Sequence, residues 1–352
     1  MILTFFLSIL ISFVTAYLII RYQHLYKSYS NDHDLEGKQK FHDSPVPRIG
    51  GIALLAGIFV AQPPFWLILS IQPIFIGGLL EDLTKNISPR SRLLLSFLSA
   101  IIALYGLDIG IQQFGLAWFD SIILSTPVIS LVLTTILIGG ISHSANIIDG
   151  FNGLLLGFSI MAFSIFTWIA WQLDDQLLLV LLISTLGSLL GLFLLNFPKG
   201  GIFLGDGGAY LIGFLMAVFS LMLIKRHPQI SPWFPLLVLI YPIFETFFSI
   251  YRKKFLRGAS PGVPDGIHLH MLVYKRIIPK YFGVKDRGWK RNALTSVVMW
   301  IFTIPPLLTA LFFWERHLVM VSGVIIFCLY YIFFYFQIVR FKFRKKTSNN
   351  NP

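Results

Sequence analysis

The chain has 352 residues, of which 56% are hydrophobic and 12% are charged, and its formal net charge is +12. Soluble domains usually carry about 25% charged residues, so most of this chain cannot face water. The basic residues lie between long apolar runs, which favours anionic lipid head groups and an anionic substrate as partners and argues against nucleic acid.

Apolar runs of about 20 residues span the hydrocarbon core of a membrane as α-helices. The first run is followed, not preceded, by basic residues, which indicates a permanent span and not a cleaved signal. No stretch alternates with the period of a membrane β-barrel. We therefore predict an all-α polytopic membrane protein with about eleven transmembrane helices: 2–20, 49–62, 64–80, 93–107, 122–141, 154–173, 177–195, 209–224, 233–251, 293–313 and 318–338.

The basic residues also predict the orientation. If alternate loops are assigned to one side, starting after the first span, that side holds 25 of the 28 Lys and Arg residues, and only Lys225, Arg226 and Arg316 lie opposite. Cytoplasmic loops are enriched in Lys and Arg, so the N-terminus is predicted outside and the C-terminus inside. Residues 1–340 form a single transmembrane domain and 341–352 a basic, polar cytoplasmic tail. The predicted cytoplasmic loops are 21–48, 81–92, 142–153, 196–208 and 252–292.

Four polar clusters fall in four of these loops, and the predicted orientation puts all four on the cytoplasmic side. Glu81 and Asp82 are adjacent at the end of a span, where the helix dipole disfavours negative charge unless a metal or a cation offsets it. Asn146, Asp149 and Asn152 recur every three residues, which places them on one face of a helix. A helix end at the interface and a polar turn are the alternatives that need no ligand.

The third cluster is rich in glycine and runs from Asn196 to Gly208, with Asp206 between Gly205 and Gly207. These glycines leave Asp206 and the nearby backbone N–H groups accessible to an anion or a metal. Mg²⁺ in enzymes is typically bound by a small number of protein carboxylates together with the phosphates of a substrate. The spacing of a P-loop is absent, which argues against a nucleoside triphosphatase. A glycine-rich turn without a ligand is the alternative.

The fourth cluster lies in the basic loop 252–292 and contains Asp265, His268 and His270. Histidines two residues apart face the same way on an extended chain and can hydrogen bond a phosphate or a sugar, whereas two imidazoles without a cysteine make a poor zinc site. The apolar spacing of 269–278 predicts an amphipathic helix at the membrane interface. Arg48, before the second span, is suited to pair with a phosphate or to snorkel to the interface.

In this order, the Pro-Arg-x-Gly-Gly segment at 47–51, Asn-x-x-Asp-Gly at 146–150, Phe-x-Gly-Asp-x-Gly at 203–208 and the histidine loop resemble a known family. It is the polyprenyl-phosphate N-acetylhexosamine-1-phosphate transferases, which are glycosyltransferase family 4-like and include bacterial undecaprenyl-phosphate GlcNAc-1-phosphate transferases. The resemblance covers residues 38–276.

The resemblance implies a Mg²⁺-dependent enzyme, with Mn²⁺ as an alternative, in the bacterial inner membrane with a cytoplasmic active site. Such an enzyme moves a sugar-1-phosphate from a UDP-sugar to undecaprenyl phosphate, releases UMP and starts a lipid-linked cell-surface glycan such as O-antigen. Residues 1–340 would then be the catalytic domain. A homodimer is left open, as is the choice between direct attack and a covalent intermediate.

The resemblance also assigns roles by position. Asp206 matches the metal ligand of the family, and Asp82, Glu81 and Asp149 match catalytic residues. The residues that match substrate-binding positions are Arg48, Asn146, Asn152, Asn196, His268 and His270.

The sequence departs from the family pattern at three positions. Glu81 replaces an aspartate, Asn152 stands where several members have an aspartate, and Met271 stands where many have a further histidine. Asp82 is therefore the better candidate of the acidic pair, and the preferred sugar stays open. The main rival interpretation is a multi-span transporter of an anionic substrate, because acidic residues in membranes also mark transport sites.

Overall fold

The computed structural model describes residues 1–25, 46–256, 258, 266–284 and 288–347. Parts of the predicted loops lie outside the described residues, among them 26–45, which precede the segment of Arg48, and Asp265. Fifteen α-helices are described: α1 Ile2–Arg21, α2 Gly50–Ile58, α3 Phe65–Thr84, α4 Pro89–Leu107, α5 Ala117–Ser125, α6 Pro127–Ile148, α7 Leu154–Gln172, α8 Gln176–Asn196, α9 Gly205–Arg226, α10 Phe234–Val238, α11 Ile240–Tyr251, α12 Leu269–Leu272, α13 Ile278–Tyr281, α14 Trp289–Phe313 and α15 His317–Thr347.

Nine of the helices in the described ranges are long and apolar enough to cross a membrane: α1, α3, α4, α6, α7, α8, α9, α14 and α15. The chain is a multi-pass membrane protein. These helices correspond to nine of the eleven predicted spans. The predicted span 49–62 is only α2 with a 3₁₀ turn to Ala61, and 233–251 is divided into α10 and α11. The count of eleven and the orientation stay predictions.

Several helices extend further into the predicted loops than the hydropathy suggests. Because backbone hydrogen bonding continues past the last apolar residue, α3 runs to Thr84, and α6 runs to Ile148 instead of ending near residue 141. Pro89 begins α4, and Ser88 caps it by accepting the N–H of Ser91. The predicted loops 81–92 and 142–153 are therefore largely helix ends, which hold their polar side chains more rigidly than loops would.

Helix α9 is the centre of the bundle, and all of its residues from 207 to 223 are buried. It packs against α2, α3, α6 and α7. A Cβ atom added to Gly78 of α3 would lie 2.5 Å from the Cα atom of Gly207, and one added to Gly51 of α2 would lie 2.5 Å from the backbone N of Gly208. Small residues allow this close approach of helices in lipid, where no hydrophobic effect drives helices together.

Helix α1 is joined to α8 by serine hydroxyls. The Oγ atoms of Ser8 and Ser184 are 3.0 Å apart, and Ser12 Oγ donates to the carbonyl of Ser188 at 2.8 Å. Ser184 and Ser188 also donate to carbonyls of α2, at Gly57 and Leu54. These contacts use serine as both a small residue and a hydrogen-bond donor, and they fix α1, α2 and α8 as one unit beside α9.

The contact between α3 and α9 predicts a stability difference between two helical glycines. In Gly78→Ala the new methyl group meets backbone atoms that cannot rotate away, so we expect a loss of about 1–3 kcal/mol and a lower melting temperature. Gly140 of α6 has open space around it, so Gly140→Ala should be neutral or slightly stabilising. Thermal denaturation of both purified variants in the same detergent measures this, and equal melting temperatures would contradict the close contact.

Candidate active site

Asp206 lies in the first turn of α9, where the helix dipole favours a negative charge. Its Oδ1 atom accepts a hydrogen bond of 3.1 Å from Nδ2 of Asn146 at the end of α6, and lies 3.7 Å from Nη2 of Arg48. Its Oδ2 atom is paired with Nη1 of Arg92 in the first turn of α4. Asp206 thus meets side chains from three other segments at one end of the bundle.

Arg48 reaches this point because its segment pairs with the segment that precedes α9. The N–H groups of Gly50 and Gly51 donate to the carbonyls of Phe203 and Leu204 at 2.9 and 3.0 Å. The side chain of Arg48 is 35% exposed and that of Asp206 is 13% exposed. The cluster is therefore open on the side of Arg48 and closed towards the bundle.

The carboxylate of Asp82 hydrogen bonds the N-terminus of α9. Its two oxygens accept the backbone N–H groups of Asp206 and Gly207 at 2.8 and 2.9 Å, and its side chain is 1% exposed. Gly205 has φ +72°, and a Cβ atom there would collide with Asp82 and with the carbonyl of Arg48. The unfavourable charge expected at the end of α3 is thus offset by the positive end of a second helix.

The two members of the acidic pair have different surroundings. Oε2 of Glu81 accepts the N–H of Ile87 at 2.8 Å and so fixes the turn between α3 and α4. Glu81 and Asp82 do not act as a matched pair in this structure, because one carboxylate faces the turn and the other faces α9. Their catalytic roles stay predictions.

Asn146, Asp149 and Asn152 do not share one face, which corrects the expectation from their spacing. Helix α6 ends at Ile148, and Asp149 has φ −77° and ψ 59°, so the chain leaves the helix before the third residue. Asn146 contacts Asp206. The side chain of Asn152 points elsewhere: its Nδ2 atom donates to the carbonyl of Pro198, and the backbone N–H of Asn152 donates to Oδ1 of Asn292. A spacing of three residues places side chains on one face only within a helix, and α6 ends before Asn152.

Asp149 has an unusual pKa. Burial raises it from the ordinary value near 3.8 to about 7; the charge of Arg48 opposes this shift and the charge of Asp206 adds to it. A carboxyl group with a pKa near neutrality can take up and release a proton under working conditions. Asp149 is therefore an acid–base candidate of the cluster.

Asn196 joins two loops. Its Oδ1 atom accepts the N–H of Gly153, and its Nδ2 atom donates to the carbonyl of Ile202, each at 2.6 Å. Both atoms of the amide are thus used by backbone groups, and the side chain is buried. Asn152 and Asn196 both hydrogen bond backbone groups of these loops, and their predicted contacts with substrate stay predictions.

The two histidines lie side by side, with parallel rings whose centroids are 5.4 Å apart. Both are buried, and a Cβ atom added to Gly150 would lie 3.3 Å from Nε2 of His270. Burial lowers the pKa of His270 to about 3, against the opposing effect of Glu245, so its ring is neutral. The pair stands next to the loop of Asp149, and its contact with a phosphate or a sugar stays a prediction.

The predicted amphipathic segment at 269–278 is helical, and its apolar face packs against the protein. Leu269, His270, Met271, Leu272, Val273 and Tyr274 are all buried. Lys275 is exposed, and Arg276 and Ile277 are half-buried, so the segment has a polar and an apolar face. Its position at the membrane interface stays a prediction.

Comparison with known proteins relates this part of the chain to a family. Residues 64–224, which contain Asp82, Arg92, Asn146, Asp149 and Asp206, match the family described as "Glycosyl transferase family 4". This match supports the family resemblance expected from the motifs.

Three relatives show the range of this similarity. The "Probable undecaprenyl-phosphate N-acetylglucosaminyl 1-phosphate transferase" of Bacillus subtilis strain 168 is 28% identical over 255 residues, which are 67% of this chain and 68% of that protein. The "Undecaprenyl-phosphate alpha-N-acetylglucosaminyl 1-phosphate transferase" of Escherichia coli K12 is 27% identical over 252 residues, 67% of each chain. The "Phospho-N-acetylmuramoyl-pentapeptide-transferase" of Lactobacillus johnsonii is 34% identical over 113 residues, 32% of this chain and 34% of that protein.

Sequence reasoning missed one residue of the cluster around Asp206, Arg92. Its side chain is paired with Asp206, and its guanidinium lies 6.0 Å from the ring centroid of Tyr210. Arg92 was counted only as a basic loop residue. The available signal was its position in the first turn of a helix that starts at Pro89, where the dipole disfavours a cation unless an acidic partner is close.

The different surroundings of the acidic pair predict different effects of truncation. Asp82→Ala leaves two N–H groups without their acceptor, which should cost about 1–3 kcal/mol and lower the melting temperature clearly. Glu81→Ala loses one bond in a more exposed turn and should cost about 1 kcal/mol or less. Thermal denaturation of the two variants compares them directly. An equal or larger loss in Glu81→Ala would contradict the helix cap formed by Asp82.

Proposed function

We propose that this chain transfers a sugar-1-phosphate of the N-acetylhexosamine type from a UDP-sugar to undecaprenyl phosphate and releases UMP. The relatives named as undecaprenyl-phosphate sugar-1-phosphate transferases support a transfer of this class. We further propose that the enzyme lies in the bacterial inner membrane with its active site on the cytoplasmic side, and that the product starts a lipid-linked cell-surface glycan.

The observation that carries the proposal is that two arginines flank Asp206, with Arg48 near Oδ1 and Arg92 paired with Oδ2. Asp149 belongs to the same cluster. The second pKa of a phosphate monoester is about 6, so the acceptor is mostly a dianion at neutral pH and needs no strong base. The main barrier is repulsion between two phosphate groups. Preorganised cations at the end of the bundle lower that barrier by binding the developing charge.

The side chains around Asp206 also bear on the proposed Mg²⁺. The oxygens of Asp206, Asp149 and Asn146 are hard donors, but no group of three His, Cys, Asp or Glu residues in the described ranges is arranged as a metal cage. This fits an ion that takes few protein ligands, with substrate phosphates and water as the rest. Asp206 would hold it, Arg92 would have to yield part of its contact, and the ion would supply positive charge to the diphosphate. Mn²⁺ is the alternative ion.

A hydrocarbon acceptor explains why such chemistry belongs in a membrane bundle. The tail of undecaprenyl phosphate would stay in lipid, while its phosphate reaches the helix ends where Asp206 lies. The open side of the cluster at Arg48 would admit the nucleotide-sugar. The lipid tail would then stay in the membrane and the nucleotide-sugar in water while their phosphates meet at the site.

The first test is release of UMP by purified protein from a panel of UDP-N-acetylhexosamines, with undecaprenyl phosphate and Mg²⁺. We expect release that requires the acceptor and falls by about 100- to 1000-fold in Asp206→Ala, because that variant loses the centre of the charged cluster. Asp108→Ala is the matched control, since Asp108 is exposed and pairs with Lys225 away from the cluster. Wild-type activity in Asp206→Ala, or no release with any donor, would refute the proposal.

The pKa of Asp149 predicts the pH profile of the same reaction. If its carboxylate form is required, kcat/KM should rise with pH through about 7, because the raised pKa keeps the group protonated below that pH. Asp149→Asn should be slow and should lack this limb, keeping only the titration of the acceptor phosphate near about 6. Initial rates of UMP release between pH 5 and 9 measure this. A limb at about 7 that persists in Asp149→Asn would exclude Asp149 as its source.

A further inference from the structure

Glu245 is a fully buried carboxylate in α11, inside a segment that the sequence marks only as an apolar run. A buried charge is costly unless several hydrogen bonds compensate it. Glu245 has them from two other segments of the chain. Nδ1 of His268 lies 2.9 Å from Oε1, the hydroxyl of Tyr331 donates to Oε2 at 2.6 Å, and the N–H of Leu269 donates to Oε2 at 3.2 Å.

The chemistry of these partners fixes the state of the histidine. The backbone N–H and the tyrosine hydroxyl both donate, so Glu245 acts as an ionised acceptor. Nδ1 of His268 must then carry a proton to complete the contact. A carboxylate that binds one ring nitrogen of a histidine sets both its tautomer and its ring orientation.

The second histidine extends this arrangement towards Asp149. The ring of His270 stacks on that of His268, and its Nδ1 atom lies 3.2 Å from the hydroxyl of Tyr241, which is also on α11. Its Nε2 atom is buried, faces Gly150 and has no hydrogen-bond partner within the described part of the chain. One face of α11 therefore orients both rings, and the second ring ends beside the loop of the acid–base candidate.

We propose that Glu245 is a positioning residue of the transferase, which holds the His268–His270 pair in the orientation that the reaction requires. The inference rests on the proposed function for its kinetic consequence but not for its geometry. The hydrogen bonds of Glu245 described above join it to His268, Leu269 and Tyr331. Glu245 acts through the two rings, and it anchors them to α11 and α15 so that they do not reorient when substrates bind.

Glu245→Gln tests the proposal. Glutamine has the same size as glutamate, but its amide has one acceptor oxygen instead of two, and three donors bind at this position. We expect kcat for UMP release to fall by about 10- to 100-fold, with KM for undecaprenyl phosphate changed much less. Glu245→Asp should recover part of the rate. Thr246→Val is the matched control on the same helix, since the hydroxyl of Thr246 donates to the carbonyl of Pro242 within that helix, and it should behave like wild type. A wild-type kcat in Glu245→Gln would overturn the proposal.

A spectroscopic measurement separates this proposal from the proposed function. ¹⁵N-histidine NMR of the full chain in lipid nanodiscs, assigned by difference from His268→Gln, reports whether Nδ1 of His268 is protonated. We expect a protonated Nδ1 at neutral pH in wild type and a changed signal in Glu245→Gln. An unprotonated Nδ1 in wild type overturns the positioning role even if the glutamine variant does not fold. Absence of UMP release from wild type would instead refute the transferase function and leave the ring measurement valid.

Discussion

Two hydrogen bonds from the N-terminus of α9 to Asp82 hold the functional end of this bundle together. They join the last turn of α3 to the first turn of α9, so that one carboxylate satisfies two buried N–H groups of a neighbouring helix. The bonds require the backbones to approach closely, and the glycine contacts at Gly78 and Gly207 permit that approach. A side chain at either glycine would move Asp206 away from its partners.

The cluster around Asp206 follows from this junction. Asp82 accepts the two backbone N–H groups and lies 4.0 Å from Nη2 of Arg48, while Asp206 contacts Arg48, Arg92 and Asn146. Asn152 and Asn196 join the loop of Asp149 to the segment before α9 through hydrogen bonds. Charged side chains face the opening while amides bond the supporting backbone, which gives a rigid, charged site at a helix end.

Much of this arrangement could be predicted from the sequence, because the information lay in periodicity and in the sidedness of the loops. The convergence of segments around Asp82, Asn146 and Asp206 followed from assigning their loops to one end of the bundle. Nine of the eleven predicted spans correspond to helices long and apolar enough to cross a membrane, because each of them is a long apolar run in the sequence. The other two were less regular, since α2 is short and the chain breaks between α10 and α11. The predicted span 122–141 begins in α5, which ends at Ser125 before α6 starts at Pro127.

The remaining features depended on partners distant in sequence. The spacing of Asn146 and Asn152 indicated a shared face only while a helix continued, and α6 ends between them. The neighbouring residues in the sequence do not indicate that the carboxylate of Glu81 bonds Ile87, or that the carboxylate of Asp82 bonds the N-terminus of α9. Glu245 was hidden in an apolar run, because its donors come from His268 and Tyr331.

The convergence of separate segments at the N-terminus of α9 can be measured without any activity. In a Cys328→Ser background, Asn146→Cys with Asp206→Cys should be joined in membranes by a short bifunctional thiol reagent, because the native side chains are 3.1 Å apart. Asp108→Cys with Asp206→Cys is the control, since Asp108 pairs with Lys225 at the other end of α9, about 28 Å away along the helix axis. Cross-linking of the first pair alone is the predicted result. No cross-linking of that pair, or equal cross-linking of both pairs, would contradict the structure of the site.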